Sequence, residues 1–138
     1  MKVFAIVPIF NEEKNIEYVL QSLKKSFFID EIICINDGST DSSYKLIAKF
    51  KNIELINLRK NHGKAYAITR GITKAKGQIV LLIDGDLKGL TDTQFKQFIR
   101  PLETEKYQIT IGYLHDRVNK FMRLLSGTRA YFKSDLLP

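Results

Sequence analysis

Gln78-Ile79-Val80-Leu81-Leu82-Ile83-Asp84-Gly85-Asp86 joins an unbroken apolar run to two carboxylates one residue apart. A short run of Ile, Val and Leu reads as a strand buried on both faces, which belongs in a parallel sheet covered by helices. The acids then stand at the strand's mouth, where a carboxylate pair can hold a divalent cation and, through it, a diphosphate. Asp-Gly is also common turn chemistry, so the tripeptide needs support from the rest of the chain.

Working outward, further short apolar runs occupy residues 3–7, 32–35, 53–56 and 108–111. Helical spacing intervenes: Ile16, Val19, Leu20 and Leu23 form one stripe, and Phe95, Phe98, Ile99 and Leu102 another. Asn11 is expected to cap the first helix, with Glu12 and Glu13 in its first turn, and Thr91 with Gln94 forms a capping box for the second. Strand alternating with helix implies parallel pairing through right-handed crossovers. The expected fold is α/β, a three-layer α/β/α sandwich around a mostly parallel, Rossmann-like sheet.

In such sheets ligands bind beyond the carboxyl ends of the strands. Strand one is followed by Pro8, Phe10, Asn11 and Glu12, and strand two by Asp37, Gly38, Ser39, Thr40 and Asp41. Strand three is followed by Arg59, Lys60, Asn61, His62, Gly63 and Lys64, and strand four by Asp84, Gly85 and Asp86. Turns alone do not require acids on two strand tips with a basic, glycine-containing loop between them. Acids suit a metal and ribose or base donors; the basic loop suits phosphate.

With 138 residues the chain is long enough for one domain with a real core and too short for two full-sized ones. Hydrophobic residues at 44% and charged ones at 27% give the composition of a soluble globular protein, without repeats or low-complexity tracts. The 22 Lys and Arg against 15 Asp and Glu leave a net charge of +7, which favours anionic partners without choosing among them. No helix-turn-helix, zinc site or stacking-aromatic pattern directs that charge to nucleic acid, so no nucleic-acid partner is expected. The single Cys34 reads as a buried small hydrophobe and excludes an internal disulfide, in keeping with a cytoplasmic setting. The N-terminal apolar run is cut by Pro8 and followed by Asn11-Glu12-Glu13, unlike a signal peptide, and no run reaches the ~18 residues of a membrane span.

Four segments in order carry a family resemblance: Val7-Pro8-Ile9-Phe10-Asn11-Glu12-Glu13, Ile35-Asn36-Asp37-Gly38-Ser39-Thr40-Asp41, Asn61-His62-Gly63-Lys64-Ala65, and Gly77 with Asp84-Gly85-Asp86-Leu87. Over residues 3–112 the chain resembles glycosyltransferase family 2, the nucleotide-sugar-dependent transferases of the GT-A fold. The tail Ser126-Gly127-Thr128-Arg129-Ala130 is similar to branches that include polyprenyl-phosphate sugar transferases and related synthases.

The resemblance implies a UDP- or GDP-sugar donor and Mg²⁺ or Mn²⁺ as cofactor. It places Pro8, Phe10, Asn11 and Glu12 along the nucleotide pocket, has Asp37 accept base N–H groups, and counts Gly38 and Ser39 among the nucleotide-sugar-binding residues. It assigns Asp84 to the ribose or metal and Asp86 to the metal, with Gly85 keeping the turn open. Gly63 and Lys64 approach the nucleotide, although Lys64 also reads as a solvated surface lysine. Arg129 is either a phosphate ligand or a strand residue facing solvent, and Arg117 is a second cation of that kind.

The family continues beyond this point with a segment that carries an acidic base, so residues 1–138 are expected to be a single nucleotide-sugar-binding domain lacking part of the acceptor-binding portion. Asp92, Glu103, Glu105, Asp116 and Asp135 are the acids left after Asp86, and none occupies a convincing setting for a base. Either the chain is a truncated form, or the base comes from Asp116 or Asp135, or the chain is a nucleotide-sugar-binding module without catalysis. A sugar-phosphate nucleotidyltransferase would need a Gly-rich, Arg-containing loop where Pro8-Ile9-Phe10-Asn11 stands. The acceptor side admits a lipid phosphate or a phosphorylated small molecule. Val118, Phe121, Met122 and Leu125, flanked by Arg117, Lys120 and Arg123, form a basic amphipathic stripe that reads as core packing or as peripheral membrane contact.

Overall fold

Along the first strand, β1 (Val3–Ile9), Val3, Ala5, Val7 and Ile9 pack on one face of the sheet and Phe4 and Ile6 on the other, all buried. A strand apolar on both sides has to be covered on both, and that requirement organises the molecule. The computed structural model describes residues 1–111 and 128–136. After β1 come α1 (Ile16–Lys25), β2 (Glu31–Asp37), α2 (Ser43–Ala48), β3 (Glu54–Leu58), α3 (Lys64–Lys74), β4 (Ile79–Leu82), α4 (Asp92–Glu103), β5 (Ile109–Ile111) and β6 (Arg129–Phe132).

The sheet order is β3-β2-β1-β4-β6-β5, with β1 to β4 mutually parallel and β6 antiparallel to both β4 and β5. The chain steps outward from β1 to β2 to β3, then crosses back past β1 to reach β4. Right-handed crossovers in opposite directions put their helices on opposite faces. Accordingly α1 and α2, joined by α4, cover the face of Val3, Ala5 and Val7, while α3 covers Phe4, Ile6, Ile33 and Ile35. The three-layer α/β/α reading and the mostly parallel sheet hold.

The reversal makes the gap between β1 and β4 the topological switch point, where the loops diverge and a crevice opens. Sequence chemistry reinforces it. The β1–β4 ladder ends at Ile6 opposite Leu82, with the Ile83 N–H still bonded to the Ile6 carbonyl at 3.0 Å. Pro8, lacking an N–H, cannot extend it.

Three sequence expectations need correction. Asn11 does not cap α1: that position is Asn15, and Asn11 adopts φ 55° with its side chain turned to the next loop. Glu12 and Glu13 consequently precede the helix, whose first-turn acid is Glu17. The run at 108–111 is no doubly buried parallel strand; β5 lies at the sheet edge, antiparallel to its one neighbour, with Ile109 and Ile111 about half exposed (49% and 48%). Both helical stripes pack as expected, and the capping box of α4 forms, the Thr91 N–H donating to Gln94 Oε1 at 2.9 Å. The basic stripe of residues 118–125, with Arg117, Asp116, Ser126 and Gly127, lies outside the described residues.

Candidate functional site

At the carboxyl ends of β1 to β4, four loops are tied to one another in a closed circuit. The first tie is polar. Asn11 Oδ1 accepts the Thr40 N–H at 2.8 Å, Ser39 Oγ accepts the Asn11 N–H at 3.0 Å, and the fully buried Ser43 hydroxyl accepts the Glu12 N–H at 2.8 Å. Asp41 completes it by accepting the N–H groups of Glu13 at 3.0 Å and Ser43 at 2.9 Å. Burial pushes the Asp41 carboxyl up, but the Ser43 hydroxyl and these N–H groups outweigh it and hold the group below the usual carboxylate range.

Asp37 makes the second tie. It is 3% exposed, and its two oxygens accept the backbone N–H groups of His62 at 2.8 Å and Gly63 at 2.9 Å. The carboxylate that the resemblance assigns to a base therefore already serves to anchor the third loop. Gly38, at φ 70°, lets that loop lie against it: a Cβ there would stand 2.4 Å from the Lys60 carbonyl carbon and 2.5 Å from the Asn61 nitrogen. Only glycine fits such a conformation and such a contact together.

The third tie is the ion pair between Lys64 Nζ and Asp84 Oδ1, across the crevice from α3 to the fourth loop. The fourth brings that loop back to the first. Gly85 is buried, and a Cβ on it would lie 3.1 Å from Glu12 Cγ and 3.5 Å from the Pro8 carbonyl oxygen. Close approach, more than an open turn, is what this glycine permits.

Around this circuit the predicted residues fall as follows. Pro8, Glu12, Ser39 and Gly63 are partly buried, Asn11 and Phe10 are exposed, and Asp84 is partly buried beside the exposed Asp86. Arg129 opens β6 opposite Leu82, at the same end of the sheet as the Asp84–Asp86 turn. Among the described residues its Nε is buried without a hydrogen-bond partner, as is the Thr128 hydroxyl. Arg129 is thus a partly buried strand residue rather than one fully facing solvent. His62 is exposed and stacks on Tyr66, with ring centroids 4.6 Å apart. Cys34 is buried in the core and its thiol is pushed well above its ordinary range by desolvation.

Sequence reasoning missed several parts of this framework. Asn36 bonds Asn57 across β2 and β3 at 2.7 Å, Glu13 accepts the Ser42 N–H at 3.0 Å, and Ser43 and Thr128 are both buried. The density of Asn, Asp and Ser in residues 36–43 was the available signal, since such side chains bond neighbouring backbone.

Among the described residues no three acids, histidines or cysteines converge. Asp84 and Asp86 nonetheless fit Mg²⁺ or Mn²⁺, because hard cations of this kind are commonly held by one or two carboxylates together with substrate phosphates and water. Cavities of about 440 and 210 Å³ open at the opposite, amino-terminal ends of the strands, beside Gln78 and Lys2 respectively. Among the described residues, the candidate site is marked by the convergence of four loops at the switch point. No described helix is long and apolar enough to cross a membrane.

The sequence matches the profile of Glycosyl transferase family 2 over residues 4–133. It is 33% identical to the putative glycosyltransferase CsbB of Bacillus subtilis over 91% of this chain and 40% of that protein. It is 36% identical to a dolichyl-phosphate beta-glucosyltransferase of Dictyostelium discoideum over 69% of this chain and 32% of that one. Glucosyl-3-phosphoglycerate synthase of Mycobacterium tuberculosis, solved with Mn²⁺, uridine diphosphate and phosphoglyceric acid, superimposes with a TM-score of 0.78 at 25% identity, over 96% of this chain and 56% of that one. The chain thus spans less than half the length of these two curated relatives.

Proposed function

The chain belongs to glycosyl transferase family 2 and has its GT-A fold, and from that premise we propose that it binds a UDP- or GDP-sugar at the four-loop circuit and transfers the sugar to a phosphate-bearing acceptor. The observation that carries the reading is the pairing of Asp84 and Asp86 at the switch point with a basic loop across the crevice. A relative solved with Mn²⁺ and uridine diphosphate supports it.

In this account the loops of Pro8 to Glu12 and of Asp37 to Ser39 form the floor for the nucleoside. Asp37 acts first by fixing the amide-bearing loop, and its remaining lone pairs are available to a base N–H. Asp86 and Asp84 would hold Mg²⁺ or Mn²⁺, which when bound offsets the negative charge that develops on the leaving diphosphate. Lys64 and Arg129 add positive charge around the phosphates.

The acceptor is a lipid phosphate or a phosphorylated small molecule. Support comes from a relative named for dolichyl phosphate and from one solved with phosphoglyceric acid. A second reading, nucleotide-sugar binding without transfer, is favoured by the acids that follow Asp86 among the described residues. Asp92 begins α4, Glu103 and Asp135 are exposed, and the exposed Glu105 lines the cavity at the amino-terminal ends of the strands, away from the four-loop circuit.

Transfer assays with radiolabelled UDP-glucose and GDP-mannose, offered polyprenyl phosphate and 3-phosphoglycerate in turn, separate the two. Label appearing in either acceptor supports the transferase. Donor binding without label transfer supports the module, and no donor binding contradicts both.

A further inference from the structure

Lys64 Nζ sits on Oδ1 of Asp84, a carboxylate that the donor complex proposed above uses for a metal. An ion pair with one side chain 57% and the other 26% exposed is held weakly, as an exchangeable contact must be. Asp86, by contrast, is exposed and takes part in no ion pair among the described residues.

The backbones on both sides of the pair are fixed. In α3, Ala67, Gly71 and Ile72 are buried, and Gly71 lies so close to the sheet that a Cβ on it would stand 2.7 Å from Ile35 Cδ1 and 2.8 Å from Ile6 Cγ2. Beside Asp84, Ile83 is bonded to β1, and the Asp84 carbonyl accepts the Leu87 N–H at 3.2 Å. Lys64 is the first residue of the helix, so its ammonium can leave Asp84 by side-chain rotation alone, without displacing an element.

Resting on the donor-site reading, we infer that Lys64 is an internal counter-ion that occupies Asp84 until a diphosphate draws it away, so that nucleotide and metal bind interdependently. An ammonium in contact with Asp84 both takes a ligand oxygen and repels a second cation. A diphosphate offers the ammonium more negative charge than one carboxylate does. Once Lys64 has turned to it, Asp84 joins Asp86 as a ligand. By linkage the effect is reciprocal: metal on Asp84 releases Lys64 for the phosphates, and each ligand raises affinity for the other. Lys64 is thus a positioning residue acting through Asp84.

The test uses the 138-residue chain. Mn²⁺ binding is read from the loss of the free-ion electron paramagnetic resonance signal, with and without whichever of UDP or GDP binds more tightly, after subtracting the loss that the nucleotide causes in the absence of protein. Nucleotide binding is read by calorimetry in EDTA. In the wild type, nucleotide should tighten Mn²⁺ binding about tenfold or more, within the usual range of such couplings. Lys64→Met should bind Mn²⁺ about tenfold more tightly without nucleotide, leaving an enhancement smaller than that of the wild type, the part due to ligation of the metal by the diphosphate itself. Asp84→Asn should strengthen metal-free nucleotide binding, and adding Lys64→Met to it should abolish that gain, which simple removal of a negative charge would not do. Equal nucleotide-free Mn²⁺ affinity in wild type and Lys64→Met, with nucleotide binding intact in both, overturns the counter-ion and leaves the donor site standing. No binding of Mn²⁺ or nucleotide by any form overturns both.

Discussion

Gly38→Ala should damage the molecule at the joint between the second and third loops. The residue sits at φ 70°, where a Cβ costs roughly 1–2 kcal/mol through its carbonyl clash. The added methyl would also stand 2.4 Å from the Lys60 carbonyl carbon and 2.7 Å from its Cα, and these are backbone atoms that cannot rotate aside. Overpacking of that kind adds roughly 1–3 kcal/mol, or else the loop shifts and the Asp37 bonds to His62 and Gly63 lengthen. The expected loss is therefore about 2–5 kcal/mol, read as a lower urea midpoint with unchanged slope. Gly89→Ala is the control: it has φ 81° but nothing within 4 Å of its Cβ position, so only the backbone cost of about 1–2 kcal/mol applies. If the two variants lose the same stability, the close packing of the third loop on Gly38 is refuted.

Two further outcomes follow from the same circuit. Asp37→Asn leaves one acceptor oxygen for two N–H groups, so amide exchange at His62 or Gly63 should quicken and stability should fall by about 1–3 kcal/mol; unchanged exchange at both would contradict the anchoring role. Asp41, whose folded pKa lies below its unfolded value of about 3.9, contributes stability that is present above that pH and is lost as pH falls through the folded pKa. The acid limb of the urea midpoint, followed from pH 5 downward, should accordingly be shallower in Asp41→Asn than in the wild type, and parallel limbs would count against it.

The parts of the fold legible in sequence were those dictated by burial. Continuous Ile and Val runs marked the central strands because each is covered on both faces, and the stripes of α1 and α4 marked helices that each bury one side. Less legible was α3, which packs through Ala67, Gly71 and Ile72, a small and sparse face without a strong period. The sheet edge misled for the opposite reason: Ile109 and Ile111 are apolar yet half exposed, so composition suggested burial that pairing did not provide. At the site, the residue types were readable and the bonds were not. Asn11 has the chemistry of a cap and uses it on Thr40, twenty-nine positions away, a partner that no local pattern discloses. Asp37 likewise looked like a ligand-facing acid, while its buried oxygens hold backbone from the loop beyond β3.

The central claim, a metal-assisted nucleotide-sugar site at the switch point, is tested most directly by calorimetric titration of UDP and GDP, each with and without Mn²⁺, into the wild type and Asp86→Ala. One nucleotide should bind in a Mn²⁺-dependent manner, and the variant should lose that dependence. Failure of both nucleotides to bind, or equal Mn²⁺-dependent binding by Asp86→Ala, would contradict the account.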